Sequence, residues 1–150
     1  MVLDVSFRIL DKNDIELVVP IVRELSGFKV SEEVLKKRFL EMVEQNYKCA
    51  VMKHKCELIG VCGMWFCTRH YSGKTIEIDH IFIKKEFRNQ GLGKKFMQYI
   101  YDYAERKGVE AIELNAYLKN EASHRFYNNE GFKALAYHFV KPLNGKWPGE

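Results

Sequence analysis

A mixed α/β domain built on one twisted, mostly antiparallel sheet is the fold class this sequence predicts, and three observations predict it. Short runs with period-two apolar alternation, bounded by Gly, Asn and charged turns, occupy the middle of the chain. Stretches with apolar residues three and four apart lie on either side of them. A helical stretch ending at Gly108 runs straight into the strand-like Val109–Tyr117, a helix-to-strand step that builds a parallel pair. We expect about six to seven strands flanked by about four helices around one core. With 150 residues, 47% of them hydrophobic, the chain suffices for a single domain over 1–150. The polar, Gly- and Pro-bearing residues 143–150 read as a loose tail.

In order, Val5 to Leu10 reads as a first strand. Asp11 or Asn13 caps a helix that ends at Gly27, with Pro20 expected to kink or shorten it. Ser31, followed by Glu32 and Glu33, opens a second helix through Leu35, Phe39, Met42 and Val43. Tyr47–Lys53 and Leu58–Cys67 read as strands joined by a tight turn. Ser72 and Gly73 then lead into a third strand of the meander, ending at Ile83. Along that strand Ile76, Ile78, His80 and Phe82 alternate against Glu77, Asp79, Ile81 and Ile83. A helix carrying Leu92, Phe96, Ile100, Tyr103 and Ala104 follows. After Val109–Tyr117 come a short helix over Asn120–Asn129, stopped by Gly131, and a last strand over Phe132–Val140.

Composition excludes several classes. Net charge is +4, too mild to call for nucleic acid by itself. Within Lys84–Lys95, however, five basic residues (Lys84, Lys85, Arg88, Lys94, Lys95) face one acid, Glu86, which concentrates the positive field there. A nucleic-acid surface would interleave aromatic residues with exposed basic ones, whereas the aromatics after this cluster stand at core spacing. Cys49, Cys56, Cys62 and Cys67 form no CxxC pair and no Cys/His set, so neither a metal site nor a disulfide framework is expected. Reduced, mostly buried thiols are expected instead. No apolar run spans a bilayer, and the first residues lack a signal-peptide core, which points to a cytoplasmic protein without membrane association.

The chemistry concentrates between Thr75 and Lys95, where a strand, a glycine-bearing turn and a helix N-terminus follow one another. Amides without intrahelical acceptors converge at such a point, where the helix dipole is positive, and this favours a phosphate. A magnesium-dependent nucleotide loop fails because Arg88 occupies the first glycine position and Phe96, not Ser or Thr, follows the lysines. A dinucleotide fingerprint fails because Phe96 stands where a third glycine is required.

What fits is Arg-x-x-Gly-x-Gly at Arg88, Gly91 and Gly93. With IEIDHIFIKKEFRNQGLGKKF around it, and Asn120, Ser123, Tyr127, Gly131 and Phe132 spaced downstream, the chain resembles the GNAT superfamily of N-acetyltransferases from Phe7 to Leu143. The resemblance implies acetyl-CoA as cosubstrate and no metal. It places the pyrophosphate on the amides of Asn89, Gln90, Gly91, Leu92, Gly93 and Lys94, and implies Arg88 of the same motif as a further cofactor-binding residue. The pantetheine arm would pair with the strand end Ile81, Phe82 and Ile83, and Asn120 would contact it, although Asn120 equally reads as a helix cap. Tyr127 is implied as the acid that protonates the departing thiolate, and Glu77, eleven residues before Arg88, as the base, with Asp79 a second carboxylate on the same face. A base or a desolvating pocket is needed because an alkylamine of pKa about 10.4 is neutral in only about 1 molecule in 2,500 at pH 7. Two departures stand out: Ser123 replaces a customary alanine, and Lys85 a customary proline. With no cysteine at a catalytic position of the family, direct attack in a ternary complex is expected.

The acceptor is expected to be a small primary amine. An N-terminus or lysine of a protein, and a non-catalytic acyl-CoA-binding module, are the alternatives. The family suggests a homodimer.

Overall fold

Each helix begins and ends where the side chains and backbone allow it. In the computed structural model, which describes residues 3–148, Asp11 accepts a hydrogen bond from the Asn13 amide at 2.9 Å and opens a 3-10 turn over Lys12–Val18. Helix α1 (Val19–Leu25) starts only there, with Pro20 in its first turn. The single helix expected from Asp11 to Gly27 is thus two pieces. Proline lacks an N–H and clashes one turn back, so the first turn of an α-helix tolerates it and the interior does not. Ser31 Oγ accepts from the Val34 amide at 3.2 Å and caps α2 (Glu32–Met42). Helix α3 (Leu92–Arg106) runs to Lys107 and Gly108, the latter at φ +71°. Helix α4 (Glu121–Asn129) is capped by Asn120, whose Oδ1 accepts from the Ser123 amide at 3.1 Å.

Five strands form one sheet in the order β1 (Ser6–Ile9), β2 (Tyr47–His54), β3 (Glu57–Arg69), β4 (Gly73–Ile83) and β5 (Ala111–Leu114). The first four are antiparallel, and β4 and β5 are parallel, joined through α3 as the helix-to-strand step requires. A core lies on each face. On one side Phe96, Met97 and Ile100 of α3 pack on Met52, Met64, Ile76 and Ile78. On the other, Ile15, Val18, Val22 and Phe39 cover Val51, Val61 and Tyr47. Phe96 is fully buried, and a Cβ added at Gly60 would stand 3.3 Å from its ring, so the glycine lets the helix close on the sheet. Phe96→Ala should destabilise the domain by about 3–5 kcal/mol. Denaturant midpoints measure this, and a loss under about 1 kcal/mol would contradict a tightly packed core at this point.

Two expectations about strands are corrected. Phe132–Val140 is not a strand: it carries no sheet pairing, and Leu135 and Phe139 are 89% and 91% exposed. The residues have the right period, but a ladder also needs a partner, and β5, paired with β4 only over Ala111–Leu114, offers an edge too short to template nine residues. Among the described residues the count is therefore five strands rather than six or seven.

The alternation along β4 also breaks. Gly63 pairs with His80 and Met64 with Ile78, so Asp79 is an extra residue in a β-bulge. Ile76 and Ile78 face the α3 side, but beyond the bulge His80 and Phe82 fall on the α1–α2 side, the face Glu77 takes opposite Trp65. Asp79 and Glu77 are accordingly not successive members of one regular face. Among the cysteines, Cys49 and Cys62 are buried, whereas Cys56 and Cys67 are exposed; all four are free.

Candidate active site

The bulge at Asp79 opens the sheet. Parallel pairing of β4 and β5 stops at Ile78 and Leu114, and beyond it Ile81, Phe82 and Ile83 pair on one side only, with Cys62, Val61 and Gly60 of β3. The other edge of β4 is left open where the two strands part. Two cavities lie along this opening.

The smaller, about 310 Å³, sits at the N-terminus of α3 and is lined by Ile83, Phe87, Arg88, Asn89, Gly91, Leu92, Gly93, Lys94 and Phe126. Its shape follows from the turn. Asn89 and Gly91 take positive φ of +62° and +75°, and the first intrahelical bond of α3 runs from the Lys95 amide to the Gly91 carbonyl. The amides just inside the helix therefore lack intrahelical acceptors. Gly93 lies under the Phe126 ring, which an added Cβ would touch at 3.4 Å. Arg88 is turned back on the strand: its Nε donates to the Ile83 carbonyl at 2.8 Å, and its guanidinium stands 4.9 Å from the Phe82 ring centre. It fastens the turn to the end of β4. Gln90 and Phe82 line neither cavity.

The larger cavity, about 610 Å³, is bounded by Ile78–Ile81 of β4, residues 114–117 at the end of β5, Asn120, Ser123 and Tyr127 of α4 and its cap, and Val22 to Lys29 around the end of α1. Trp147 and Pro148 of the tail complete it. Its charged lining residues are Asp79 and Lys29. Tyr127 stacks edge-on against Phe126 and Phe132, with ring centres 5.4 and 5.7 Å away. Burial, and secondarily the Cys62 thiol, push its phenol up to about 12, so it holds its proton at neutral pH.

Glu77 stands just behind this cavity rather than in its wall. Its Oε1 accepts from Asn115 Nδ2 at 3.0 Å and its Oε2 from the Arg69 guanidinium at 3.3 Å; Arg69 in turn bonds Glu113 at 2.7 Å. Asn115, a cavity residue, is thus the link between Glu77 and the opening.

The structure therefore brings together Ile81, Asn120, Tyr127 and Asp79 in one cavity and Ile83, Arg88, Asn89, Gly91, Leu92, Gly93 and Lys94 in the other. Sequence reasoning missed Phe87, Phe126, Asn115, Trp147 and His80. Of these, His80 carried a signal, a titratable residue among apolar neighbours in a strand. Its Nε2 lies 2.9 Å from the Tyr47 hydroxyl, and Phe39 packs edge-on against its ring at 5.9 Å.

A helix N-terminus with free amides thus stands at one end of the parted strands, and a cavity lined by a protonated phenol at the other. Comparison with known proteins gives the arrangement a family: the model of the Acetyltransferase (GNAT) family matches residues 18–132, and the chain belongs to that family. It is similar to an uncharacterized N-acetyltransferase, YhdJ of Bacillus subtilis, at 25% identity over 83% of this chain and 88% of the relative. It is also similar to the aminoalkylphosphonate N-acetyltransferase of Salmonella typhimurium, at 23% identity over 87% and 86%. Among solved structures, AAC(6')-Iy in complex with a bisubstrate analogue, CoA-S-monomethyl-acetylneamine, shares the fold. Its TM-score is 0.76 at 14% identity, covering 94% of this chain and 99% of that one. The chain is an enzyme that moves an acetyl group to an amine, with acetyl-CoA implied as cosubstrate. Among the described residues no helix is long and apolar enough to cross a membrane.

Proposed function

We propose that the chain acetylates a small primary amine, by direct attack on acetyl-CoA held in the opening between β4 and β5. The observation that carries this reading is the placement of the two cavities along the free edge of β4, one against Ile78–Ile81 and the other against Ile83. One has the amides for a pyrophosphate, and the other has Tyr127 and a polar, charged lining on the α1 side. On this reading the backbone of residues 89–94 takes the pyrophosphate, Ile81–Ile83 pair with the pantetheine arm, and Asn120 contacts that arm through the amide nitrogen its cap leaves free. The cavity's volume and its Asp79–Lys29 pair of charges suit a small acceptor with an ammonium and an anionic group, and the aminoalkylphosphonate enzyme among the relatives makes such compounds the first to test.

Tyr127 serves as the acid. A phenol at about 12 gives its proton to a thiolate of conjugate-acid pKa about 8.5 only uphill. The transfer is therefore coupled to the proton that the attacking nitrogen releases, which restores the phenol. Glu77 serves as the base that takes the bound ammonium's proton before attack, through a water relayed past Asn115, using the lone pair its present partners leave free. Glu77→Gln should move the kcat/KM profile toward alkaline pH; an unmoved profile would leave Glu77 as the group that holds Arg69 and Asn115.

A thiol-release assay with acetyl-CoA tests the acceptor. The panel spans aminoalkylphosphonates, polyamines, aminoglycosides, amino acids and peptides. Release with small amines and none with peptides is the expected result. Release with peptides alone would replace the small-molecule acceptor by a protein.

A further inference from the structure

Residues 132–140 are a strand by pattern that lacks a partner. Leu135, Tyr137 and Phe139 recur at every second position, as side chains on one face of a strand do, and are 89%, 78% and 91% exposed. Both ends of the segment are tied down. The Phe132 amide donates to the Tyr127 carbonyl at 2.9 Å, and beyond the segment Trp147 and Pro148 reach the wall of the larger cavity. Between these anchors, among the described residues, no backbone hydrogen bond holds 133–143. An apolar face offered to water in this way marks an interaction surface.

The sheet of the same chain cannot cover it. Its outer strands, β1 and β5, are four residues long each, and the open stretch Ile81–Ile83 of β4 is the one the pantetheine arm takes. A strand of nine residues finds a partner of its own length in the same segment of a second copy. Antiparallel pairing about a twofold axis then leaves no choice of register: with all nine residues paired, 132 stands opposite 140 and the midpoint, Ala136, opposite itself. Leu135 meets Tyr137 of the second copy, Lys133 meets Phe139 and His138 meets Ala134, so no like charges face each other across the ribbon. The six large side chains fall on the same face. At roughly 150 Å² each they bring about 900 Å², and the paired backbones carry the total toward the roughly 1,200–2,000 Å² that a stable interface buries.

We propose that residues 132–140 are a dimerisation strand. Two copies of this chain join by pairing these segments antiparallel about Ala136, and Leu135, Tyr137 and Phe139 of both are buried between the ribbon and the two domains that carry it. The occupant of the exposed face is the protein itself.

Sedimentation equilibrium of the full chain over a concentration series reads the state of association, and a two-chain species is expected. Leu135→Glu combined with Phe139→Glu should abolish it. Both positions are exposed in the single chain, so the variant should keep its circular dichroism and its affinity for acetyl-CoA. The register is tested by cross-linking in a background with Cys56→Ser and Cys67→Ser, which removes the two exposed thiols. Opposite residues of an antiparallel pair stand about 4.5–5.5 Å apart at Cα, within reach of a disulfide. Ala136→Cys should therefore link two chains on mild oxidation. Ala134→Cys should not, because its own counterpart lies four positions along the ribbon, roughly 14 Å away. A wild type that stays monomeric to its solubility limit, a dimer that survives both glutamates, or equal linking at 134 and 136 would each overturn the inference. None of these outcomes bears on acetyl transfer, which the thiol-release assay reads separately.

Discussion

Gly91→Glu is expected to raise the dissociation constant for acetyl-CoA by at least about 100-fold. Two effects add. Gly91 sits at φ +75°, where an L-residue pays roughly 1–2 kcal/mol of backbone strain. The larger effect is electrostatic. A carboxylate at the positive end of α3, about 4 Å from a phosphate oxygen, is repelled by roughly 4 kcal/mol at an effective dielectric of 20. It also neutralises the dipole that favours the anion. Gly91→Ala separates the two, because a Cβ built at this position has nothing within 4 Å. The alanine variant should therefore lose stability through strain but keep most of its affinity. Calorimetry of acetyl-CoA binding reads both variants. Undiminished binding in the glutamate variant would remove this loop from the donor site.

Tyr127→Phe carries the second large effect. The phenylalanine ring retains the edge-on contacts with Phe126 and Phe132, so the fold of α4 should be preserved. What disappears is one O–H whose proton is held firmly, at about 12, until negative charge grows beside it. General acid catalysis of this kind is worth about 10²–10⁴ in rate. The expected outcome is a kcat lower by about 100-fold or more with acetyl-CoA affinity unchanged, the pattern of a group that acts only in the transition state. A rate equal to wild type would return Tyr127 to an ordinary packing role.

What the sequence made legible is what local chemistry decides. Ser31 and Asn120 are caps because short polar side chains can reach an orphan amide two or three residues on, and both do so. Gly91 and Gly108 mark the ends of α3 because positive φ is cheap only for glycine. The loop's role could be narrowed by what is missing from it, a third glycine and a hydroxyl after Lys95.

The rest depended on partners that no single run of residues specifies. The bulge at Asp79 is a register event between β3 and β4, and it alone moves His80 to the α1–α2 side. The separation of Glu77 from the cavity wall is set by Arg69 and Asn115, eight and 38 residues away. Phe132–Val140 alternates as a strand would, yet pairs with no strand among the described residues. Cys56 and Cys67 look as buryable as Cys49 and Cys62, but their positions in a turn and near the exposed end of β3 leave them exposed.

The central claim, direct acetyl transfer from acetyl-CoA to a small amine, is tested most directly by measuring both products in one reaction. The wild-type protein, acetyl-CoA and the best acceptor from the amine panel are incubated together. Released CoA thiol and N-acetylated amine are then quantified, with the intact protein weighed by mass spectrometry. The account predicts one acetylated amine for each thiol and an unmodified chain throughout. Thiol release without acetylated amine, or an acetyl group resident on the chain and passed on from it, would contradict it.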